Sequence, residues 1–256
     1  MTGLYQLAVG SKTVPLSSCL LRGGDDQPVD FGYSFWLVDH AGGLLLVDCG
    51  FREAAAARKS IRYERTPLEA LALLGIGGAE IDGIVLTHLH FDHAGALPDF
   101  PNARVYVQAR DLEYFTGPLM RFPLCASGID ADDMTAVERI RGDGRLEVLA
   151  GDAEIVPGVR AQVVGGHTPG SQLVSVRRGD RRVVLAGDAA HIQANITLGV
   201  PYPVLHSVPD SCLGFEAMRE MARDDRTVVI PGHDGAVRRD STPVSDVPGR
   251  SVVELL

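Results

Sequence analysis

No run in the 256-residue chain approaches the roughly 18 consecutive apolar residues a membrane-crossing helix requires, so no membrane span is expected. Positive charge is in deficit as well. Against 33 Asp and Glu stand 24 Lys and Arg, and the net −9 argues against a nucleic-acid surface and a polybasic membrane patch. Such a balance does not repel a neutral small molecule. Cysteine is sparse: Cys19, Cys49, Cys125 and Cys212 are scattered, form no C-x-x-C pair and suggest no disulfide framework. A reducing, cytoplasmic setting is therefore expected. Leu16-Ser-Ser-Cys19 has the form of a lipoprotein cleavage box. With no charged start and no long apolar stretch before it, the match is read as chance. Solenoid-length repeats and low-complexity linkers are missing too. What remains is 45% hydrophobic and 22% charged, enough to bury a sizeable core. The length permits one large or two small domains, and a single domain over residues 1–256 is expected, as a monomer or homodimer.

Strand-like runs are expected at residues 3–8, 33–39 and 44–48, the last two joined as a hairpin around His40-Ala-Gly-Gly43. A surface loop is expected at 20–32. Thr66-Pro-Leu-Glu69 is a capping-box pattern opening a helix through Leu74. Strands follow at 84–86, 103–108 and 145–149, with helices at 110–115 and 132–140. Two more hairpins turn at Pro157-Gly158 and at Gly179-Asp180. A helix over 212–223, with apolar Leu213, Phe215, Met218 and Met221, precedes a strand at 227–230. Residues 116–126 and 192–209 read as long irregular stretches of the kind that line sites. The tail after Asp234 reads as loosely packed. Two sheets covered by helices fit this order.

The chain is organised around Ile84-Val-Leu-Thr-His88-Leu-His90-Phe-Asp92-His93-Ala-Gly95. An apolar run stops at Thr87, and His88, His90, Asp92 and His93 follow within six residues. Imidazole and carboxylate together suit zinc, iron and similar divalent metals. On an extended or looped backbone His88 and His90 point one way while Asp92 and His93 face a neighbouring point, which suggests halves of two adjacent metal sites. His167, Asp188 and His233 each follow an apolar run that ends in glycine. Glycine admits close backbone approach at a crowded centre.

Across nearly the whole chain, His88-x-His90-x-Asp92-His93 followed by His167, Asp188 and His233 resembles the metallo-β-lactamase superfamily. Within it, His88-Leu-His-Phe-Asp-His-Ala-Gly95, Glu154-Ile-Val-Pro-Gly-Val159, His167-Thr-Pro-Gly170, Gly187-Asp-Ala189 and Gly232-His-Asp234 are similar to N-acyl homoserine lactonases, the quorum-quenching lactonases. The resemblance implies an α/β, four-layer αβ/βα sandwich of two mixed sheets with flanking helices and metals at one edge. It implies two divalent ions per chain, zinc first, with Fe, Co or Mn as alternatives. One would be held by His88, His90 and His167 and the other by Asp92, His93 and His233, with Asp188 bridging. It implies a hydrolase that opens a lactone, N-acyl homoserine lactones above all, by attack of a metal-bridging hydroxide, with Asp92 as proton shuttle. Those enzymes carry a tyrosine three residues after the bridging Asp, where this chain has His191. His191 is thus the expected catalytic donor to the substrate carbonyl, and Phe91, His191 and Tyr202 the expected substrate contacts. Tyr63, Phe115, Met120, Phe122 and Leu205 are further candidates for an acyl groove. His40 and His206 are expected to be solvated.

The alternatives are another lactone, ester or thioester on the same ligands, as in glyoxalase II-like enzymes, a mononuclear iron oxygenase, and a sensor without turnover. Glyoxalase II-like enzymes bring a C-terminal helical domain, and only a short stretch follows His233. Class B1 β-lactamases carry Arg where His93 stands and Cys where Asp188 stands. Flavodiiron proteins have Glu at the place of His90.

Overall fold

Apolar residues that alternate along strands build sheets, and those whose apolar side chains emerge on both faces must be covered twice. The computed structural model describes residues 3–244, 247 and 250–256. The strands of the first half are β1 (Gly3–Pro15), β2 (Pro28–His40), β3 (Gly43–Val47), β4 (Arg62–Tyr63), β5 (Gly83–Val85), β6 (Arg104–Gln108) and β7 (Leu146–Leu149). Then come β8 (Ala153–Val156), β9 (Val159–Val163), β10 (Gln172–Arg178), β11 (Arg181–Leu185), β12 (Thr227–Ile230), β13 (Thr242–Pro243) and β14 (Val252–Glu254). Among the described residues they form a nine-stranded sheet, β13-β14-β1-β2-β3-β5-β6-β7 with β4 beside β1, and a five-stranded sheet, β12-β11-β10-β9-β8. Both are mixed. The first is parallel from β3 to β7, the second only between β11 and β12.

Three apolar clusters show the layering. Leu4, Trp36, Val38, Val47 and Val85 of the first sheet meet Val159, Val174, Val183, Leu185 and Ile230 of the second in a core between the sheets. On the outer face of the first sheet, Phe35, Leu46, Ile84 and Val105 pack on helices α1 (Glu53–Arg58), α2 (Pro67–Ala72), α3 (Phe91–Ala94), α4 (Ala109–Phe115) and α5 (Ala131–Gly142). On the outer face of the second, Leu173 and Val184 meet Ile196 of α6 (Gln193–Leu198) and Phe215 and Met218 of α7 (Val208–Met221). The expected four-layer αβ/βα sandwich of two mixed sheets is therefore the fold observed. No helix among the described residues is long and apolar enough to cross a membrane, and all four cysteines are free.

Several local expectations shift. β2 begins at Pro28, inside the segment read as a surface loop, because Val29 and Phe31 extend the alternation across from β1. The stretch at 192–209 is not irregular: Asn195 caps α6 by accepting from Ile192 N, and Gly199 in the left-handed region closes it. α7 starts at Val208 rather than 212, since the Ser207 side chain caps it and Pro209 fits its first turn. Leu213 is 62% exposed and belongs to the outer face of that helix. The tail is more ordered than expected, with α8 (Gly235–Asp240) and β14 paired to β1. Positions 245, 246, 248 and 249 of that tail lie outside the described residues. The capping box at Thr66 and Glu69 is formed, although its helix ends at Ala72.

Asp133, on α5, gives a pH-dependent stability. Burial, with Asp130 and Asp132 nearby, pushes its carboxyl up to about 7, and its Oδ2 has no hydrogen-bond partner. The folded state therefore holds this proton more tightly than the unfolded chain. Its contribution is neutral below pH 3.8 and destabilising as pH rises from there through about 7. Asp133→Asn should raise Tm by about 2–4 °C at pH 8 and leave it unchanged at pH 4. An equal gain at both pH values in thermal denaturation would rule out the carboxyl as cause.

Candidate metal centre

Five strand ends converge on one edge of the sandwich. β3 ends before Asp48, β5 before Thr87 and His88, β9 before His167, β11 before Asp188 and β12 before His233. A buried amide pair locks the two sheets there. Gln108 Nε2 donates to Gln172 Oε1 at 2.8 Å, while Gln172 Nε2 donates to Leu86 O at 2.6 Å. Gly187 lies in the left-handed region at φ 49°, and a Cβ there would fall 2.7 Å from Thr87 Oγ1. A Cβ at Gly232 would fall 2.6 Å from Gly187 O. The glycines before Asp188 and His233 are thus required by close approach, as the sequence suggests.

Residues 86–90 are non-helical, which gives His88 and His90 the same facing and buries Leu89 behind them. The backbone does not stay extended after them, however. His90 caps the single turn α3, and His93 N and Ala94 N both donate to His90 O. That turn swings Asp92 and His93 to the far side of the cluster.

Asp188 stands at the centre, 6% exposed. Its Oδ2 lies 3.7 Å from His88 Nε2, 3.2 Å from His167 Nε2 and 3.0 Å from His191 Nε2. Its Oδ1 lies 3.2 Å from His93 Nε2 and 2.9 Å from His233 Nε2. His90 Nδ1 sits 2.8 Å from His167 Nε2. Asp92 Oδ2 is 3.6 Å from His233 Nε2, and Asp92 Oδ1 is 3.9 Å from His93 Nε2. All seven expected ligand residues are thus brought together. His88, His90, His167 and Asp188 form one group with ligand atoms within 4.8 Å of one another, and Asp92, His93 and His233 form another. His191 joins Asp188 and His233 in a third, which places it deeper in the cluster than a substrate contact alone requires.

The outer ring nitrogens are fixed. His93 Nδ1 donates to Asp48 Oδ2 at 2.7 Å, His167 Nδ1 to Val204 O at 2.7 Å and His233 Nδ1 to Gly32 O at 2.8 Å. Each of these bonds turns its ring's Nε2 inward, the arrangement that orients metal-binding imidazoles. Despite the crowding, buried His88 Nε2, His93 Nε2 and Asp188 Oδ1 have no hydrogen-bond partner of good geometry. Buried polar atoms left without partners at one point fit a bound cation that the side chains alone do not replace.

Burial holds the His88 and His167 imidazoles well below their ordinary value and brings His90 down to about 4. These three are therefore neutral, the form that binds metal. Burial also lowers His191, partly offset by Asp188. In His93 and His233 burial acts the same way but is outweighed by carboxylates, Asp48 then Asp188 for the former and Asp188 for the latter, so both are raised. Burial would raise Asp188, yet His191 and His233 hold it well below the usual carboxylate range.

Beside the cluster lies a cavity of about 180 Å³. Phe91, Asp92, His191 and Tyr202, the expected substrate and catalytic residues, all line it. His191 and Tyr202 stack with ring centroids 3.9 Å apart. The other candidates for an acyl groove do not line it. Phe115 is buried against the His90 ring at 5.6 Å, Tyr63 donates to Phe51 O, and Phe122 is 46% exposed. Met120 packs on the outer core, and Leu205 lines a minor neighbouring cleft. His40 accepts from Gly42 N in its turn, and exposed His206 lies edge-on to Tyr114.

Three contributors were not singled out from the sequence. Asp48 is fully buried at φ 60° and accepts from Thr87 N and Oγ1 as well as from His93. It follows an apolar run just as the candidate ligands do, and that was its available signal. Phe31 stacks on His233 at 4.3 Å, and Tyr33 meets the same ring edge-on. Asp48→Asn keeps the shape but weakens the carboxylate–imidazole bond. It should lower metal affinity about 10- to 100-fold, measured by competition with a chromogenic chelator. Unaltered affinity would remove Asp48 from the account.

A four-layer sandwich with imidazoles and carboxylates gathered at the shared edge of its sheets defines a class of metal-site proteins. Residues 28–233 match the Metallo-beta-lactamase superfamily, and the chain belongs to that superfamily. Among curated relatives it is 26% identical over 259 residues to the N-acyl homoserine lactonase AttM of Azorhizobium caulinodans, covering 90% of this chain and 92% of that one. It is 24% identical over 215 residues to the N-acyl homoserine lactonase AiiA of Bacillus thuringiensis subsp. kurstaki, covering 78% and 80%. Among solved structures, an N-acyl homoserine lactone hydrolase with N-hexanoyl-L-homoserine at its catalytic metal centre superposes with a TM-score of 0.74 at 22% identity, covering 94% and 97%. The dizinc quorum-quenching lactonase AidC superposes with a TM-score of 0.72 at 19% identity, covering 90% and 86%.

Proposed function

We propose that this protein is a metal-dependent hydrolase that opens lactone rings, with N-acyl homoserine lactones as the substrate class. The observation that carries the reading is the split environment of Asp188, with Oδ2 turned to His88 and His167 and Oδ1 to His93 and His233. A carboxylate so placed bridges two positions. His88, His90 and His167 would hold one divalent ion, and Asp92, His93 and His233 the other. Zinc is the first candidate for such a donor set. The ions would supply Lewis acidity toward a carbonyl and water activation near neutral pH. The named relatives support the choice of lactone.

The chain's own residues supply orientation and proton handling. Asp92 borders the cavity with its side chain 10% exposed, a position from which a carboxylate can take a proton from the attacking water and pass it to the leaving alkoxide. Phe91 and the stacked pair His191–Tyr202 form apolar walls that exclude water and hold the ring. His191 borders the same space; its Nε2 faces Asp188 Oδ2 at 3.0 Å, and with that carboxylate turned to the ions its N–H would be the donor for the substrate carbonyl. His191→Ala and His191→Phe should each lower kcat about 10- to 1000-fold with a smaller change in KM. His191→Tyr should keep activity on acyl homoserine lactones. Metal content separates the roles: two ions retained in His191→Ala fit a donor, whereas loss of one makes His191 a ligand.

Another ester or thioester on the same centre is the second reading, favoured by His191 where the lactonases carry tyrosine. A panel of short and long acyl homoserine lactones, aliphatic lactones and thioesters on metal-replete protein tests both. Turnover of the homoserine lactones with kcat/KM of about 10⁴ M⁻¹s⁻¹ or more supports the proposal. Turnover of thioesters alone would overturn it.

A further inference from the structure

The sequence contains two lysines, Lys12 and Lys59, and both line the 180 Å³ cavity. Lys12 Nζ lies 5.6 Å from the centre of the Phe31 ring, the ring that stacks on His233. Lys59 Nζ lies 4.9 Å from the centre of the Phe91 ring and donates to Ser127 O. Among the described residues no carboxylate is within salt-bridge distance of either lysine. Two unpaired ammonium groups at one rim are a notable concentration in a chain of net charge −9.

Lys12 also lines a second, larger cavity of about 520 Å³, so the two spaces meet at its side chain. The outer cavity is lined by Arg62, Arg238, Arg239 and Arg250 besides Lys12, against the two carboxylates Asp30 and Glu64. Glu64 is already engaged by Arg238, at 3.0 Å through both Nη1 and Nη2, and by Ser11. Arg239 pairs with Asp240, and Arg250 donates to Ser241 O. Lys12 and Arg62, the latter 79% exposed and only 3.7 Å from the shared Glu64, keep donors for an incoming anion.

The inner cavity has the volume of about six liquid waters at ~30 Å³ each, comparable to a lactone ring with its amide. An acyl tail must leave it past the rim. We infer that the outer cavity is a subsite for an anionic group on the acyl tail, a carboxylate held by Lys12 and Arg62, so that the substrate is a lactone with a negatively charged tail terminus. The subsite rests on the hydrolase reading for what fills the inner cavity. Lysine suits the rim because its compact charge sits on a flexible stem that can follow a moving tail. Arg62 can grip a carboxylate through two parallel N–H donors.

The test compares N-succinyl-L-homoserine lactone with its neutral methyl ester on metal-loaded protein at low salt. Titration calorimetry with succinate, on the same protein, reads binding without turnover. Wild type should prefer the acid over the ester by about tenfold in kcat/KM, a preference that shrinks in 0.5 M NaCl because exposed charges are screened. The ratio should fall to about one in Lys12→Gln/Arg62→Gln and below one in Arg62→Glu, and succinate binding should weaken in both variants. Equal rates on acid and ester in wild type, with succinate binding indifferent to the substitutions, would overturn the subsite and leave the hydrolase reading standing. Weakened succinate binding in the variants with no turnover of either compound would support the subsite and overturn lactone hydrolysis alone.

Discussion

Asp188→Ala is expected to lose bound metal and hydrolytic activity together, with kcat/KM falling roughly 10⁴-fold or more. Asp188 is the one side chain whose two oxygens face both halves of the cluster, at 2.9 to 3.7 Å from five imidazoles. Removing it takes from the raised imidazole of His233 its nearest counter-charge, leaves His93 to Asp48 and Asp92, and leaves no bridge between the two proposed metal positions. Asp188→Asn keeps the volume but offers one good acceptor, and should retain at most one ion. The measurement is elemental analysis beside steady-state kinetics. Two ions held tightly by Asp188→Ala would contradict the bridging assignment.

Removal of metal should lower Tm by about 10 °C. Ligand bound only by the folded state at a thousand times its dissociation constant stabilises by about 4 kcal/mol, and each kcal/mol is worth about 2–4 °C in a chain of this size. The structural ground is specific. The proposed ligand residues come from loops after β5, β9, β11 and β12, and His88 Nε2, His93 Nε2 and Asp188 Oδ1 are buried without a hydrogen-bond partner, which a cation would offset. Scanning calorimetry before and after chelation, with metal loss verified by elemental analysis, reads the effect. An unchanged Tm in fully stripped protein would show that the edge is rigid without metal.

That these imidazoles and carboxylates would cluster was legible because metal chemistry constrains spacing. His88-x-His90-x-Asp92-His93 crowds imidazoles that are costly to bury without partners, and the Gly-Asp and Gly-His ends of β11 and β12 follow from close approach at Gly187 and Gly232. Hairpins and the Thr66 cap were legible for a similar reason, because turn residues and capping boxes act locally. The cavity walls were not. Phe31 and Lys12 reach the site through the long β1–β2 pairing, a contact that local pattern does not encode. Phe115 and Tyr63 read as candidates from their residue type, yet tertiary packing turns Phe115 against the back of His90 and Tyr63 toward Phe51. The turn α3 escaped notice because four residues are too few for helical periodicity, and it is fixed by bonds to His90 O rather than by propensity.

Anomalous diffraction from crystals of the purified, metal-loaded protein tests the proposed two-metal centre bridged by Asp188 most directly. Two peaks about 3.5–4 Å apart are expected, one among His88, His90 and His167, the other among Asp92, His93 and His233, with one Asp188 oxygen on each. A single peak in fully loaded crystals, or two peaks with Asp188 bound to neither, would contradict that centre.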